Sequence, residues 1–259
     1  SNIVKRVFAP TERISTYITA VLAGEYFTVT DTYKPQSITN SGDIPLVAYC
    51  RHSLKPHFDY DNIFRVTKNG LDFFQDLFDY PYPYPKYEQA FVPEYNIGAM
   101  ENPGLVTFTE DFIFVSGATE DDLEGRANTI CHEMAHMWFG DLVTMKWWDD
   151  LWLKESFADF MGALGAIEAN GFNDAWVTFA NHRKSWAYLQ DQLPTTHPIV
   201  ADIPHLEAAA QNFDGITYAK GASTLKQLVS YVGFDTFIEA ARVYFKRFAW
   251  GNTSLQDFL

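Results

Sequence analysis

Apolar and polar positions change their period along the chain. Between residues 12 and 30, Ile14, Tyr17, Thr19 and Val21 sit among polar neighbours in a stretch rich in β-formers, which predicts strand. Residues 34–43 are turn-rich and polar and predict a loop or hairpin tip. Leu46-Val47-Ala48-Tyr49-Cys50 predicts a further short strand. Near residue 54 the period lengthens. From Phe58 to Phe78, Ile63, Val66, Leu71, Phe74 and Leu77 recur at helical spacing on one side. Tyr80-Pro81-Tyr82-Pro83-Tyr84-Pro85 can be neither helix nor central strand. Residues 86–95 and 105–115 predict strands around a turn at Gly98. Thr119-Glu120-Asp121-Asp122 resembles a capping box, so a helix should start near Thr119 and stop at Gly140. Another should run from Asp150, as N-cap, to Gly171. The remainder reads as helical and aromatic-rich, without repeats. The order is that of an α+β chain whose first 54 residues resemble the edge of a β domain.

Composition narrows the partners. The 259 residues are 47 % apolar and 17 % aromatic, enough for one large domain or one domain plus part of another. No stretch approaches the ~18 apolar residues of a membrane helix. A formal charge of −14 argues against nucleic acid and anionic membranes as partners. It suits a cationic ligand such as a peptide's ammonium end, although acidity for solubility alone looks the same. Cys50 and Cys131 form no disulfide framework and fit a reducing, cytoplasmic setting. The start at Ser1-Asn2 and the end in the helical run Leu255–Leu259 are abrupt, so the chain is expected to be a piece of a longer protein.

The sharpest chemical signal is His132-Glu133-Met134-Ala135-His136. Residues four apart differ by about 40° around a helix, so both imidazoles point the same way and can grip one metal ion. Glu133 lies on the adjoining face, within reach of a water on that metal. The surrounding Ile130, Cys131, Met134, Ala135, Met137, Trp138 and Phe139 make the helix apolar on all sides, hence buried. Two buried histidines and a glutamate are costly unless paired or metal-bound. A catalytic zinc site takes three protein ligands and leaves a position for water. Glu155, after a gap of eighteen residues and early in the next predicted helix, is the candidate third ligand. A metzincin arrangement would need Gly at 139 and His at 142, where the chain has Phe139 and Leu142. Cys131 points about 100° away from His132 and reads as core.

HExxH, eighteen residues and Glu, together with the upstream Gly98-Ala99-Met100-Glu101-Asn102, resemble the M1 family of zinc aminopeptidases. Val92-Pro93-Glu94-Tyr95-Asn96, Trp147-Trp148-Asp149-Asp150-Leu151-Trp152-Leu153 and Thr217-Tyr218-Ala219-Lys220-Gly221-Ala222 are similar to aminopeptidase N of actinobacterial type. The resemblance implies a thermolysin-like catalytic domain over residues 55–259. Residues 1–54 would be the last part of an N-terminal β domain, and a helical C-terminal domain would follow. It also implies roles. His132, His136 and Glu155 bind one zinc per chain. Glu133 is general base and proton shuttle, and Tyr218 stabilises the oxyanion. Glu101 holds the free ammonium of a peptide substrate, and Gly98, Ala99, Met100 and Asn102 line up its backbone. Ile97 and Phe213 line the first specificity pocket, which suits neutral or hydrophobic N-terminal residues. The full-length protein would be a monomer. From periodicity alone, Tyr218 reads as core packing.

The chain also departs from the family. It has Lys154 and Ser156 around the third ligand, where Asn and Gly are usual. It has Gly162 where many members carry a Glu that orients a histidine, and Asp141 and Asp159 are the possible substitutes. His52, His57, His182, His197 and His205 read as structural or exposed. Competing readings are a thermolysin-like endopeptidase, which needs no Glu101, and a leukotriene-hydrolase-like enzyme, which typically shows Gly at the position of Ala99. A zinc-stabilised binding module would have no use for Glu133. In the isolated chain the missing domains should leave the cleft open, so zinc binding with weakened activity is expected.

Overall fold

The computed structural model describes residues 4–36 and 42–259. Five strands form one mixed sheet: β1 (Tyr26–Tyr33), β2 (Ile44–Arg51), β3 (Tyr87–Val92), β4 (Ala99–Met100) and β5 (Val106–Thr109), in the order β1-β2-β3-β5-β4. β2, β3 and β5 run parallel, and an antiparallel strand closes each edge. The parallel step from β2 to β3 is made by α1 (Tyr60–Phe78), which buries Ile63, Val66, Leu71, Phe74 and Phe78. Central β3 is mostly buried, whereas β2 alternates buried and open positions.

The helical part begins with α2 (Glu120–His136) and α3 (Leu151–Glu168), which pack along each other. Short helices α4 (Ala175–Thr178), α5 (Ser185–Asp191) and α6 (Leu206–Gln211) follow, then α7 (Gly221–Val232) and α8 (Phe234–Phe248). A two-stranded sheet joins β6 (Val143–Met145), between α2 and α3, to β7 (Gly251–Thr253), ahead of α9 (Leu255–Phe258). One aromatic cluster ties the parts together. Trp138 and Phe157 pack on Phe78 from α1, and Phe245 of α8 meets Phe78 at 5.0 Å. The α+β class is therefore as expected.

Several local expectations need correction. Residues 12–25 are not strand: a 3-10 turn spans Thr16–Ile18, only Ile18 of that turn is buried, and Val21 is exposed. Isolated apolar residues at irregular spacing gave no continuous buried face. The strand expected to reach residue 115 ends at Thr109, whose side chain accepts from Asp111 N and starts a turn. The loop expected over 34–43 falls largely on residues 37–41, outside the described residues. A division near residue 54 runs between β2 and α1. Yet β2 is hydrogen-bonded to β1 on one side and β3 on the other, so these two strands share a sheet with the rest.

α2 starts where its sequence predicts. Thr119 and Asp122 form a reciprocal capping box that satisfies two free backbone donors. It ends at His136, and Gly140 follows in a turn at φ 139°. A Cβ on Gly140 would stand 3.0 Å from His136 Nδ1. Asp150 does not cap α3 with its side chain; its Oδ2 instead accepts from Leu255 N and ties down α9.

Candidate active site

α2 carries His132 and His136 one turn apart, with their Nε2 atoms 3.1 Å from each other. Glu155, one turn into α3, brings Oε2 to 3.2 Å from His136 Nε2 and 3.4 Å from His132 Nε2. All three residues are buried. Ligands of a tetrahedral zinc ion at 2.0–2.1 Å stand about 3.3–3.4 Å apart, which is the size of this triangle. A single proton can serve only one edge of it, whereas a divalent cation serves all three corners. The donor set therefore fits zinc.

The groups around the triangle fix its orientation. His136 Nδ1 lies 3.1 Å from the Phe139 carbonyl, which can only accept, so Nε2 keeps its lone pair for a metal. His132 Nδ1 lies 3.6 Å from Asp159 Oδ1. Asp159 is itself held by two bonds from Arg183, at 2.6 and 3.0 Å. Burial alone would lower His132, but hydrogen bonding to Asp159 and Glu155 outweighs it and pushes the ring up to about 10. The same anionic surroundings draw a metal cation. Of the two carboxylates that could replace one at residue 162, Asp159 faces a histidine ring nitrogen, whereas among the described residues neither oxygen of Asp141 has a hydrogen-bond partner. Residue 162 itself is tightly packed: a Cβ there would lie 3.0 Å from Asn128 O and 3.3 Å from His132 Cβ, so these neighbours would have to give by a few tenths of an ångström.

Glu133 is buried on the neighbouring face of α2. Burial raises its carboxyl, His132 opposes and Glu101 adds, leaving it at about 8. One oxygen each of Glu101 and Glu133 and a ring nitrogen of His136 lie within 4.8 Å of one another. Glu101 is only 3 % exposed. Its Oε1 accepts from Lys154 Nζ at 2.5 Å, with the Tyr17 hydroxyl at 3.5 Å. Lys154 also donates to Glu155 Oε1 at 2.6 Å. Glu155 thus turns one oxygen to the histidines and the other to a lysine. Burial raises Glu155, but Lys154 and His136 outweigh it and hold the carboxyl well below the usual range.

Gly98, Ala99 and Met100 form the rim next to Glu101. β4 is the outermost strand, bonded to β5 on one side only, with Thr109 N donating to Gly98 O at 2.9 Å. A Cβ at Gly98 would meet nothing within 4 Å, so the chain's own packing does not demand glycine there. Asn102 ties the rim to residues 16–18, donating to Ile18 O at 3.0 Å and accepting from Thr107 Oγ1 at 2.9 Å. Ile97 and Phe213 are about half exposed, at 47 % and 45 %.

Tyr218 stands on a π-helical turn, Ile216–Lys220, a rare form common at functional positions. Its ring stacks on His132 at 6.0 Å and is 6.4 Å from Phe213. Asp214 Oδ1 accepts from Ile216 N and Thr217 N. Ser156 Oγ donates to Thr217 O at 2.7 Å. α3 and α7 touch so closely that a Cβ on Gly221 would lie 1.9 Å from Ser156 Oγ. Burial, then Glu155, push the Tyr218 hydroxyl well above an ordinary phenol.

The sequence reading missed Tyr17, the anchoring of Asp159 by Arg183 and the pairing of Lys154. A lysine directly after Leu151-Trp152-Leu153 and close before Phe157-Ala158 was the available signal, since a buried ammonium needs carboxylate partners. The other histidines behave as expected. His205 caps α6, and His197 pairs with Asp214 at 2.6 Å. Cys131 is packed in the core, with its thiol pushed up to about 12 by burial.

Two histidines and a glutamate on paired helices, with a second glutamate beside them, define a metallohydrolase of the HExxH class. Comparison with known proteins narrows this class. Residues 63–259 match the peptidase family M1 domain, and the chain belongs to that family of zinc metallopeptidases. It is 55 % identical over 254 residues to aminopeptidase N of Streptomyces lividans, covering 97 % of this chain and 29 % of that protein. It is 37 % identical over 252 residues to a probable aminopeptidase 2 of Sulfurisphaera tokodaii, covering 97 % and 31 %. A leucyl aminopeptidase of Saccharolobus solfataricus is 34 % identical over 251 residues, covering 96 % and 31 %. The chain thus spans about a third of the length of these relatives. Among the described residues no helix is long and apolar enough to cross a membrane.

Proposed function

We propose that this chain carries the catalytic site of a zinc aminopeptidase, which hydrolyses the first peptide bond of substrates with a free N-terminal amine. His132, His136 and Glu155 hold one zinc ion. When bound, zinc acidifies water and polarises the scissile carbonyl. Glu133 takes the proton of the attacking water and passes it to the leaving amine. Tyr218 donates its hydroxyl hydrogen to the developing oxyanion, and its raised pKa keeps that hydrogen in place. Glu101 accepts from the substrate ammonium, while Gly98 and Ala99 pair with the peptide as an added strand. Ile97 and Phe213 offer apolar surface to the first side chain, in keeping with the name of the Saccharolobus relative.

The observation that carries this reading is the 4.8 Å grouping of Glu101 with Glu133 and His136. One extended residue spans at most about 3.3–3.6 Å. An ammonium on Glu101 therefore leaves only the first peptide bond over the reacting groups. An endopeptidase has no use for a carboxylate there. The test is an aminoacyl chromogen against its N-acetylated copy, before and after chelation. Cleavage of the free-amine compound alone, lost on chelation and restored by one equivalent of zinc, is expected. Equal cleavage of the acetylated compound would overturn the reading.

A further inference from the structure

The proposed ammonium site at Glu101 already holds an ammonium. Lys154 Nζ, 2 % exposed, is within 2.6 Å of both Glu101 Oε1 and Glu155 Oε1. A substrate amine arriving at Glu101 would meet this like charge in a dry place, where repulsion is strong. A receiver for Lys154 lies close by. Asp141, in the turn after α2, is 1 % exposed, and among the described residues neither of its carboxylate oxygens has a hydrogen-bond partner. Buried carboxylates without partners are rare and costly. The Lys154 side chain runs past this turn: its Cδ is 3.5 Å from where a Cβ on Gly140 would stand. Asp141 is thus a buried acid without a partner, next to a cation whose partner the substrate requires.

We propose that Lys154 stands in for the substrate ammonium in the free enzyme, and that it turns from Glu101 to Asp141 when a peptide N-terminus takes Glu101. Glu155 Oε1 is the pivot that Lys154 keeps throughout, since an ammonium has three hydrogens to give. Lys154 and Asp141 are then positioning residues that set the affinity for a free amine. Neither touches the reacting atoms. The inference rests on the aminopeptidase reading, because it needs Glu101 to bind an amine.

The experiment is a double-mutant cycle in the intact, zinc-loaded enzyme. The probes are 3-methylbutylamine, titrated by calorimetry, and an aminoacyl chromogen for KM and kcat. Asp141→Asn should weaken amine binding and raise KM by ~10-fold or more, the usual cost of losing a charged hydrogen-bond partner, with a much smaller change in kcat. Added to Lys154→Met, which leaves no cation to receive, the same substitution should change neither quantity. Thermal melting verifies that each variant folds, and Asp141→Ser replaces Asp141→Asn if the latter does not. An equal loss from Asp141→Asn in both backgrounds would overturn the proposal, as would no loss in either. If Glu101→Gln leaves amine binding unchanged, the aminopeptidase reading itself fails, and the proposal with it.

Discussion

His132, His136 and Glu155 ride on two long helices packed side by side, whereas Glu101 and Tyr218 stand on a two-residue edge strand and a π turn. The metal side is held by apolar packing. Met134 lies against Gly70 of α1, and Cys131 fits against Gly165 of α3. The recognition side is held by polar bonds to segments distant in sequence. Asn102 reaches Ile18, and Ser156 and Asp214 pin the turn of Tyr218. Regular helices give metal ligands fixed spacing, because a metal tolerates little error. Irregular segments let a carboxylate and a hydroxyl approach that metal from other directions.

The contrast predicts different losses on the two sides. Glu133→Gln should keep one zinc per chain and lower kcat on the order of 10³-fold or more, because the ligands stay and only the proton carrier goes. Zinc analysis beside steady-state kinetics checks it, and retained activity with zinc bound would remove Glu133 from the mechanism. Tyr218→Phe should lower kcat by about 10²–10³ with a smaller change in KM. A change in KM alone would reassign Tyr218 to substrate packing. Glu101→Gln should act mainly on KM, raising it by ~10–100-fold for free-amine substrates, as a charge-assisted bond is lost. Matching kinetics for mutant and parent would mean the amine is held elsewhere. Asp159→Asn should weaken zinc by about 10–100-fold, the usual cost of an outer partner to a ligating histidine. Competition with a chromogenic chelator reads this directly, and unchanged affinity would show that Asp159 serves only Arg183.

What was legible in the sequence follows the same division. The histidine pair, the buried helix around it and the Thr119 cap are local patterns at spacings below five residues, and all three stand in the structure. The convergence of Glu155 could be anticipated because α3 begins at Leu151, a short connection after α2 ends at His136. Nothing local announces that β2 pairs with β3 across α1. Tyr17 was misread for a similar reason: its partners Glu101 and Trp148 lie 84 and more than a hundred residues away. Asp150 holds the N-cap position of α3 as its neighbours suggest, yet the arrival of Leu255 claims its carboxylate. Tyr218 could be chosen only by resemblance, since a tyrosine on a helical segment looks the same whether it packs or donates.

The most direct test of the central claim, an amine anchor one residue from the metal, is a time course of products. A ten-residue peptide with a free N-terminus and its N-acetylated twin would be digested by the zinc-loaded enzyme and followed by mass spectrometry. The account predicts a ladder of single residues lost in order from the free N-terminus, and no cleavage of the acetylated twin. Internal fragments from either peptide, without the ladder, would contradict it.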